Sequence, residues 1–500
     1  MRLREIGLIT VFALLASLAA AAQAPARPSA HPAPAGKHPA AISPGNNQSL
    51  ACSIADGFTL AAVGDLILEK PESQLAWPRF QAAINLLRHA DAGFGNFEGS
   101  AFRMSRFHGY PAAENGGAWL IDSPSVPGDL KNLGIELVSR ANNHAADWGF
   151  AGMRATDRLL DRAGVVHAGT GPSLGAALAP HYLSTPEGRV GLVSIASSFT
   201  PLSRAMNALG AAPARPGLAA LRITTWMTLP GPLFDQLAHV HADIVAKLPA
   251  AERAEMPKKQ KPGRLNFFGR NFRRGSRFGQ HSKMNLADLK GFLMAVRQAK
   301  EDADFVIATI HAHDPGNWSD RPPDFLPRLA HDAINAGADE FIGHGPHQLR
   351  GIEIYRGKPI FYSLGNFFFQ SSLPAPVGVD EYAIWKLNPS TTTDEEQNAA
   401  LDKKWFTGRR WYESVVAVSR FEHGRVAEIR LYPVTLGAMR RAADRGIPHL
   451  AHHAEAIRIL QRLQRLSAQF HTVIAIEGNV GVIRPSTAAP AGATANSGSP

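Results

Sequence analysis

Five short polar clusters in this chain carry residue types that a hydrolytic metal site needs. The first is Val63-Gly64-Asp65, a carboxylate directly behind a glycine. The second is Gly95-Asn96-Phe97-Glu98-Gly99, in which the two oxygens of Glu98 can bridge a pair of cations. The third is Ala141-Asn142-Asn143-His144, followed by Asp147 and Gly149. It offers an amide oxygen as a hard ligand, a histidine able to donate a proton and an aspartate able to orient that histidine. The fourth is His311-Ala312-His313-Asp314. The fifth, Gly343-His344-Gly345-Pro346-His347, is the most specific, because two imidazoles flank a Gly-Pro turn where glycine lets the backbone come close. Imidazoles suit Zn, Mn and Fe, while carboxylate and amide oxygens favour harder metals. The mixed set fits a centre of one or two divalent ions (Mn, Zn or Fe) that hydrolyses a phosphoester or a similar bond. Taken singly, each cluster reads as ordinary structure: a strand-ending turn, a surface carboxylate or a core histidine.

Their positions carry the argument. Apolar runs predict strands over 58–68, 92–97, 136–140, 190–196, 305–310, 340–342 and 358–363, and helical spacing predicts helices over 80–90, 129–133, 152–163, 287–299 and 326–336. Buried strands alternating with helices predict an α/β fold. All five clusters stand at the ends of predicted strands, where such folds place their sites. From about 201 to 283 the alternation breaks, in a stretch with several prolines that reads as an insertion. Later, 414–421 and 427–434 predict an antiparallel pair around a polar turn, 452–469 a helix and 472–476 a last strand.

Composition sets the context. The 500 residues are 45% hydrophobic and 19% charged, as in a globular protein, and carry a formal charge of +10 that favours acidic partners. Arg2 and Arg4, an apolar run and Ala22-Gln23-Ala24 read as a signal peptide over 1–24, with an uncleaved anchor as the alternative. The chain is therefore expected to be exported, in the periplasm or associated with the cell envelope, where nucleic acid is not an expected partner. Cys52 is the single cysteine, so no intrachain disulfide can form. Residues 25–52 read as an Ala/Pro-rich linker and 485–500 as a disordered tail. Lys258, Lys259, Lys261, Arg264, Arg270, Arg273, Arg274 and Arg277 cluster in the insertion among Phe267, Phe268 and Phe272. They read either as a polyanion or membrane-surface contact or as a solvated loop.

In order, Gly-Asp, Asn-x-Glu, Asn-Asn-His-x-x-Asp-x-Gly, His and Gly-His-x-Pro-His resemble the CapA family of capsule-synthesis (poly-γ-glutamate) proteins in the calcineurin-like metallophosphatase superfamily. The run 359–367, ending in Ser363-Leu364-Gly365-Asn366-Phe367, is similar to another hallmark of that family, and the resemblance spans roughly 59–369. It implies a four-layer αββα sandwich, phosphatase-like, over 57–370, with the basic insertion inside it and a C-terminal β/α extension over 371–484. It also implies Asp65 as a metal ligand, Glu98 as the bridge, Asn143 on a second metal, and His311, His344 and His347 completing the shells. His144 would be the proton donor, supported by Asp147, with Asn96, Asn142, His313 and Asn366 in supporting places. Two motifs depart from the pattern. Asp65-Leu66-Ile67 replaces the superfamily's Asp-x-His and leaves one metal position a ligand short. His311-Ala312-His313 replaces His-Trp-Gly, so either histidine could serve, with His311 favoured by its alignment with the strand. The implied function is a metal-dependent hydrolase acting on a phosphoester or an anionic capsule polymer, beside membrane-bound capsule machinery. The alternatives are a non-catalytic polyanion-binding assembly component and a periplasmic phosphoesterase unrelated to capsule.

Overall fold

A computed structural model describes residues 53–112, 120–255, 260–370, 379–441 and 444–485. The predicted signal peptide and linker, Cys52, Lys258, Lys259 and the tail from residue 486 lie outside the described residues. The chain opens with β1 (Thr59–Ile67), α1 (Pro78–Arg88), β2 (Ala92–Phe97), α2 (Val126–Asn132), β3 (Leu137–Ser139), α3 (Gly149–Ala163) and β4 (Val166–Ala168). Next come β5 (Thr170–Gly171), α4 (Leu174–Leu178), β6 (His181–Thr185), β7 (Gly188–Ala196) and β8 (Gly217–Leu218). The inserted stretch holds β9 (Ile223–Pro230), α5 (Gly231–Lys247), α6 (Ala250–Glu255), β10 (Arg264–Phe267), β11 (Arg270–Gly275) and β12 (Gly279–Met284). The alternation resumes with α7 (Leu286–Asp302), β13 (Phe305–His311), α8 (Phe325–Ala336), β14 (Glu340–His344), β15 (Ile352–Tyr355), β16 (Lys358–Phe361) and β17 (Asn366–Phe369). The last part comprises α9 (Val379–Ile384), α10 (Asp394–Trp405), β18 (Glu413–Glu422), β19 (Arg425–Thr435), β20 (His449–Leu450), α11 (His453–Ser467), β21 (Ala475–Glu477) and β22 (Val480–Ile483).

Two large sheets dominate. A ten-stranded sheet runs β21-β22-β19-β18-β1-β2-β3-β4, with β17 also on β1 and β20 on β19. A six-stranded sheet runs β15-β16-β14-β13-β7-β6. Successive side chains of a strand point to opposite faces, and the burial follows that alternation. On β1, Leu60 and Ala62 enter a core shared with Leu192, Ile307 and Ile342 of the smaller sheet. Ala61 and Val63 face the other way, against Phe80, Ala83, Ile84 and Leu87 of α1. Those four positions recur at helical spacing and so form one apolar stripe. On β13, Val306, Ala308 and Ile310 pack outward on Leu326, Leu329, Ala330 and Ala333 of α8. The layers are therefore helix, sheet, sheet and helix, a four-layer αββα sandwich, and each buried large apolar side chain contributes about 1.5–3 kcal/mol. The amphipathic α11 adds Ala456, Ile459, Leu460 and Leu463 to the core between the sheets. Among the described residues, no helix is long and apolar enough to cross a membrane.

The inserted stretch is not a loop. It forms a four-stranded sheet, β10-β11-β9-β12, flanked by α5. Its strands escape a pattern search because they are half exposed and built of Thr, Arg and Asn rather than alternating apolar residues.

Glu340 shares a face of β14 with Ile342, which lies in the core between the sheets. It is fully buried, both its oxygens lack a partner, and burial pushes its carboxyl up to about 8. The folded-state value lies above the ordinary 4.5, so the folded chain holds this proton more tightly than the unfolded one. The stability contributed by that proton is complete below 4.5 and is lost as pH rises through 8. Glu340→Gln removes the charge, so it should stabilise the fold by on the order of 3 kcal/mol near neutral pH and above, relative to its effect in acid. Urea melts of both proteins across this range check it. A difference that does not change with pH would refute burial of the charge as the cause.

Candidate metal centre

Parallel pairing gathers the five clusters at one edge. Asp65 is in register with Asn96 on one side and with Asn366, the first residue of β17, on the other, and Asn96 is in register with Ser139, so the C-terminal ends of β1, β2 and β3 meet the start of β17. In the second sheet His311 is opposite His344. The strand ends require close backbone approach. A Cβ on Gly64 would lie 1.8 Å from the Gly365 carbonyl oxygen, which accepts from the Asp65 N–H. Gly345 has φ +111°, and a Cβ there would come within 3.1 Å of the His311 ring.

The hydrogen bonds fix which ring nitrogens are bare. Thr309 Oγ1 donates to the Ile342 carbonyl, so it accepts from His344 Nε2 at 3.0 Å and leaves His344 Nδ1 without a proton. Asn317 Oδ1 accepts from His313 Nδ1 at 2.6 Å and leaves Nε2 bare. Asn366 donates its amide N–H to the Trp411 carbonyl, so its oxygen accepts from His347 Nδ1 at 2.9 Å and leaves that Nε2 bare. His311 stands between these rings. Its Nδ1 is 2.9 Å from His344 Nδ1, and its Nε2 is 2.9 Å from His313 Nε2. Asn143 Oδ1 lies 3.1 Å from the same His313 nitrogen.

A neutral His311 carries a proton on only one ring nitrogen, so one of these two contacts sets lone pair against lone pair, which a cation between the nitrogens would relieve. The carboxylates make the same demand. Asp65 and Glu98 are fully buried, both receive the Asn96 amide, and Glu98 Oε1 has no hydrogen-bond partner. Burial, followed by the charge of Asp65, pushes the Glu98 carboxyl well above its ordinary range. Burial also acts to raise Asp65, but His347, His344 and Asn96 outweigh it and hold Asp65 below its ordinary range. Burial first, then the repulsion that neighbouring imidazoles would exert in their charged forms, holds His311 well below its ordinary range and His313 at about 3, and burial holds His344 at about 4, so these imidazoles are neutral donors at pH 7. Two trios each place their donor atoms within 4.8 Å of one another: Asp65, His311 and His344 in one, and Glu98, His313 and His347 in the other. This donor set fits one or two divalent ions.

His144 stands at the margin. Its Nδ1 is 2.6 Å from Asp147 Oδ2, and its Nε2 faces Glu98 Oε1 at 3.9 Å. Burial works to lower its pKa, but the charge and hydrogen bond of Asp147 outweigh that and raise it above 6.5. Asn142 donates to Asn96 Oδ1 and to the Phe97 carbonyl.

The structure thus brings together Asp65, Asn96, Glu98, Asn142, Asn143, His144, Asp147, His311, His313, His344, His347 and Asn366. The basic residues form a separate group. Arg270 is exposed, Arg273 lies 3.5 Å over the Trp226 ring, Arg274 pairs with Asp235, and Lys261 and Arg277 are exposed. No hydrogen bond or ion pair among the described residues joins them to the ligand cluster. Three residues with structural duties at the centre escaped the sequence reading. Thr309 and Asn317 fix tautomers, and Arg140 holds the backbone on both sides of Glu98 by donating to the Phe97 and Gly99 carbonyls at 3.0 and 2.8 Å. Thr309 could have been found from its place two residues before His311, on the same strand face. A fully buried arginine has no comparable sequence signal.

Residues 59–371 match the family described as bacterial capsule synthesis protein PGA_cap. The chain is 45% identical over 446 residues to an uncharacterized protein of Sinorhizobium fredii, covering 87% of this chain and 95% of that one. It is 42% identical over 83 residues to the PGA biosynthesis protein CapA of Bacillus subtilis, covering 17% of this chain and 21% of that one. Among solved structures, a hypothetical protein from Thermus thermophilus aligns with a TM-score of 0.31 at 11% identity, covering 75% of this chain and 98% of that one.

Proposed function

The chain belongs to the bacterial capsule synthesis protein PGA_cap family, and from that premise we propose that it is an exported component of anionic-capsule synthesis whose buried centre is a metal-dependent hydrolase site. The observation that carries this reading is the pair of His/carboxylate trios with bare nitrogens converging on a partnerless carboxylate oxygen. Asp65, His311 and His344 would hold one ion, and Glu98, His313 and His347, with Asn143, a second. The chemistry a divalent cation supplies in such a site is polarisation of a phosphoryl or carbonyl oxygen. The rest falls to the side chains. Asp147 keeps His144 protonated and turns its Nε2–H toward the cluster, where it can give a proton to a leaving oxygen. Asn96 holds Asp65 and Glu98 in fixed relation. The substrate is a phosphoester or a bond within an anionic polymer, and membrane-bound synthesis machinery is the proposed neighbour.

Asp147→Asn tests the assignment of His144. It keeps the shape but removes the charge that holds the proton. Turnover of a generic phosphodiester by the Mn-reconstituted protein should fall about 10²-fold or more, with metal content unchanged. Unchanged turnover would remove His144 from the proposed chemistry. A second reading, polyanion binding without catalysis, is favoured by Ile67 standing where the superfamily has a histidine and by the basic face of the inserted sheet. Metal bound at one or two equivalents with no turnover of any phosphoester would favour it.

A further inference from the structure

A cavity of about 470 Å³ opens beside the N-termini of α1 and α11 and the loop after β19. Its walls include Arg79, Arg409, Arg440, Arg458, His449 and His452. The nearby acids are already engaged. Glu413 accepts from Arg458 at 2.8 and 3.1 Å, and Glu455 caps α11 by accepting the His452 N–H. Among the described residues, no ion pair joins Arg79, Arg409 or Arg440 to a carboxylate. The Nη1 of Arg79 meets the His452 ring, and its Nη2 is buried without a partner. His449 is 4% exposed, its Nε2 also lacks a partner, and its ring is stacked on Trp77 at 5.2 Å. Arg440 lies 5.5 Å over the same Trp77 ring. Burial, then the fields of Arg440 and Arg79, pushes His449 down to about 4, so these cations crowd a neutral ring.

A structural ion-pair network would give each guanidinium a carboxylate, and this wall does not. The Arg79 Nη2, buried and without a partner beside the partnerless His449 Nε2, is arranged for an acceptor that arrives from outside, and the exposed guanidiniums of Arg409 and Arg440 add positive charge at the mouth. The volume is that of a small-ligand pocket rather than of a single water or ion. We propose that this cavity binds a small anion bearing two or more carboxylate or phosphate groups, held by Arg79, Arg409 and Arg440 with His449 Nε2 as a further hydrogen-bonding partner. The site stands independently of the metal centre, with a short hydrogen-bond relay between them. Tyr412 lines the cavity, and the carbonyl of the preceding Trp411 anchors the Asn366 amide that holds His347.

The test uses EDTA-treated full chain carrying His344→Ala/His347→Ala, so that binding at a metal cannot contribute. Inorganic pyrophosphate and citrate are titrated separately by calorimetry. Binding of either supports the site, and the preferred probe tells phosphate from carboxylate. Arg79→Ala/Arg440→Ala should weaken that binding at least about tenfold, and Arg409→Ala, at an exposed position, should weaken it in the same direction with the melt unchanged. Arg273→Ala/Arg274→Ala in the inserted sheet should leave it unchanged. Binding of neither probe, or an equal loss in the inserted-sheet variant, would overturn the proposal.

Discussion

His344→Ala/His347→Ala is expected to abolish metal retention. Each trio loses one histidine and keeps only two of its three donors. Elemental analysis should find one or two equivalents in the reconstituted parent and a small fraction of that in the variant. A thermal readout makes the same point without relying on activity. A ligand that binds only the folded state stabilises it by about 2.7 kcal/mol at a hundred times its dissociation constant. Added Mn or Zn should therefore raise the parent's melting temperature and leave the variant's where it was. A variant that still binds metal would show that these two rings are not the ligands. A parent that takes up neither Mn nor Zn would remove the hydrolase reading and leave the binding one.

Arg140→Met should be the most damaging single substitution near the centre. The guanidinium is wholly buried, donates to the Phe97 and Gly99 carbonyls and pairs with Asp157. Methionine fills much of the volume but orphans both carbonyls and leaves a negative charge uncompensated. Removing one partner of a buried pair costs roughly 3–5 kcal/mol. Because Glu98 lies between the two clamped carbonyls, the same change should lower metal occupancy as well as stability. Urea unfolding and metal content together check this. A cost under about 1 kcal/mol with full metal content would assign the clamp elsewhere.

The clusters were legible because each falls at or near the end of a buried apolar run, and a run that ends on polar residues has a definite end in space; Asp65 lies two residues before the end of β1. The sandwich was legible through the family resemblance, and strand burial agrees with it. Sequence did not reveal the division of labour between His311 and His313. The two rings lie two residues apart and both join the cluster, one in each trio. The inserted sheet was hidden by its exposure, since strands such as β11 carry no apolar period. The arginine-lined cavity was hidden for a different reason. Arg79, Arg409 and Arg440 are hundreds of positions apart or fall between elements, and only the folded chain makes them neighbours.

β1 sits in the middle of the larger sheet, yet one flank is completed by β17 and β18, which come from the far end of the chain. A nascent chain lacking β18 therefore exposes a long apolar strand with an open hydrogen-bonding edge, a surface that pairs readily with other chains. The centre must wait as well, because Asp65 has to meet His347 and the Asn366 that anchors it. Pairings this distant in sequence make folding slow. The molecule thus has a protracted assembly period in which it depends on being kept apart from its own kind, and it cannot capture an ion in that setting until the chain has been made as far as Asn366.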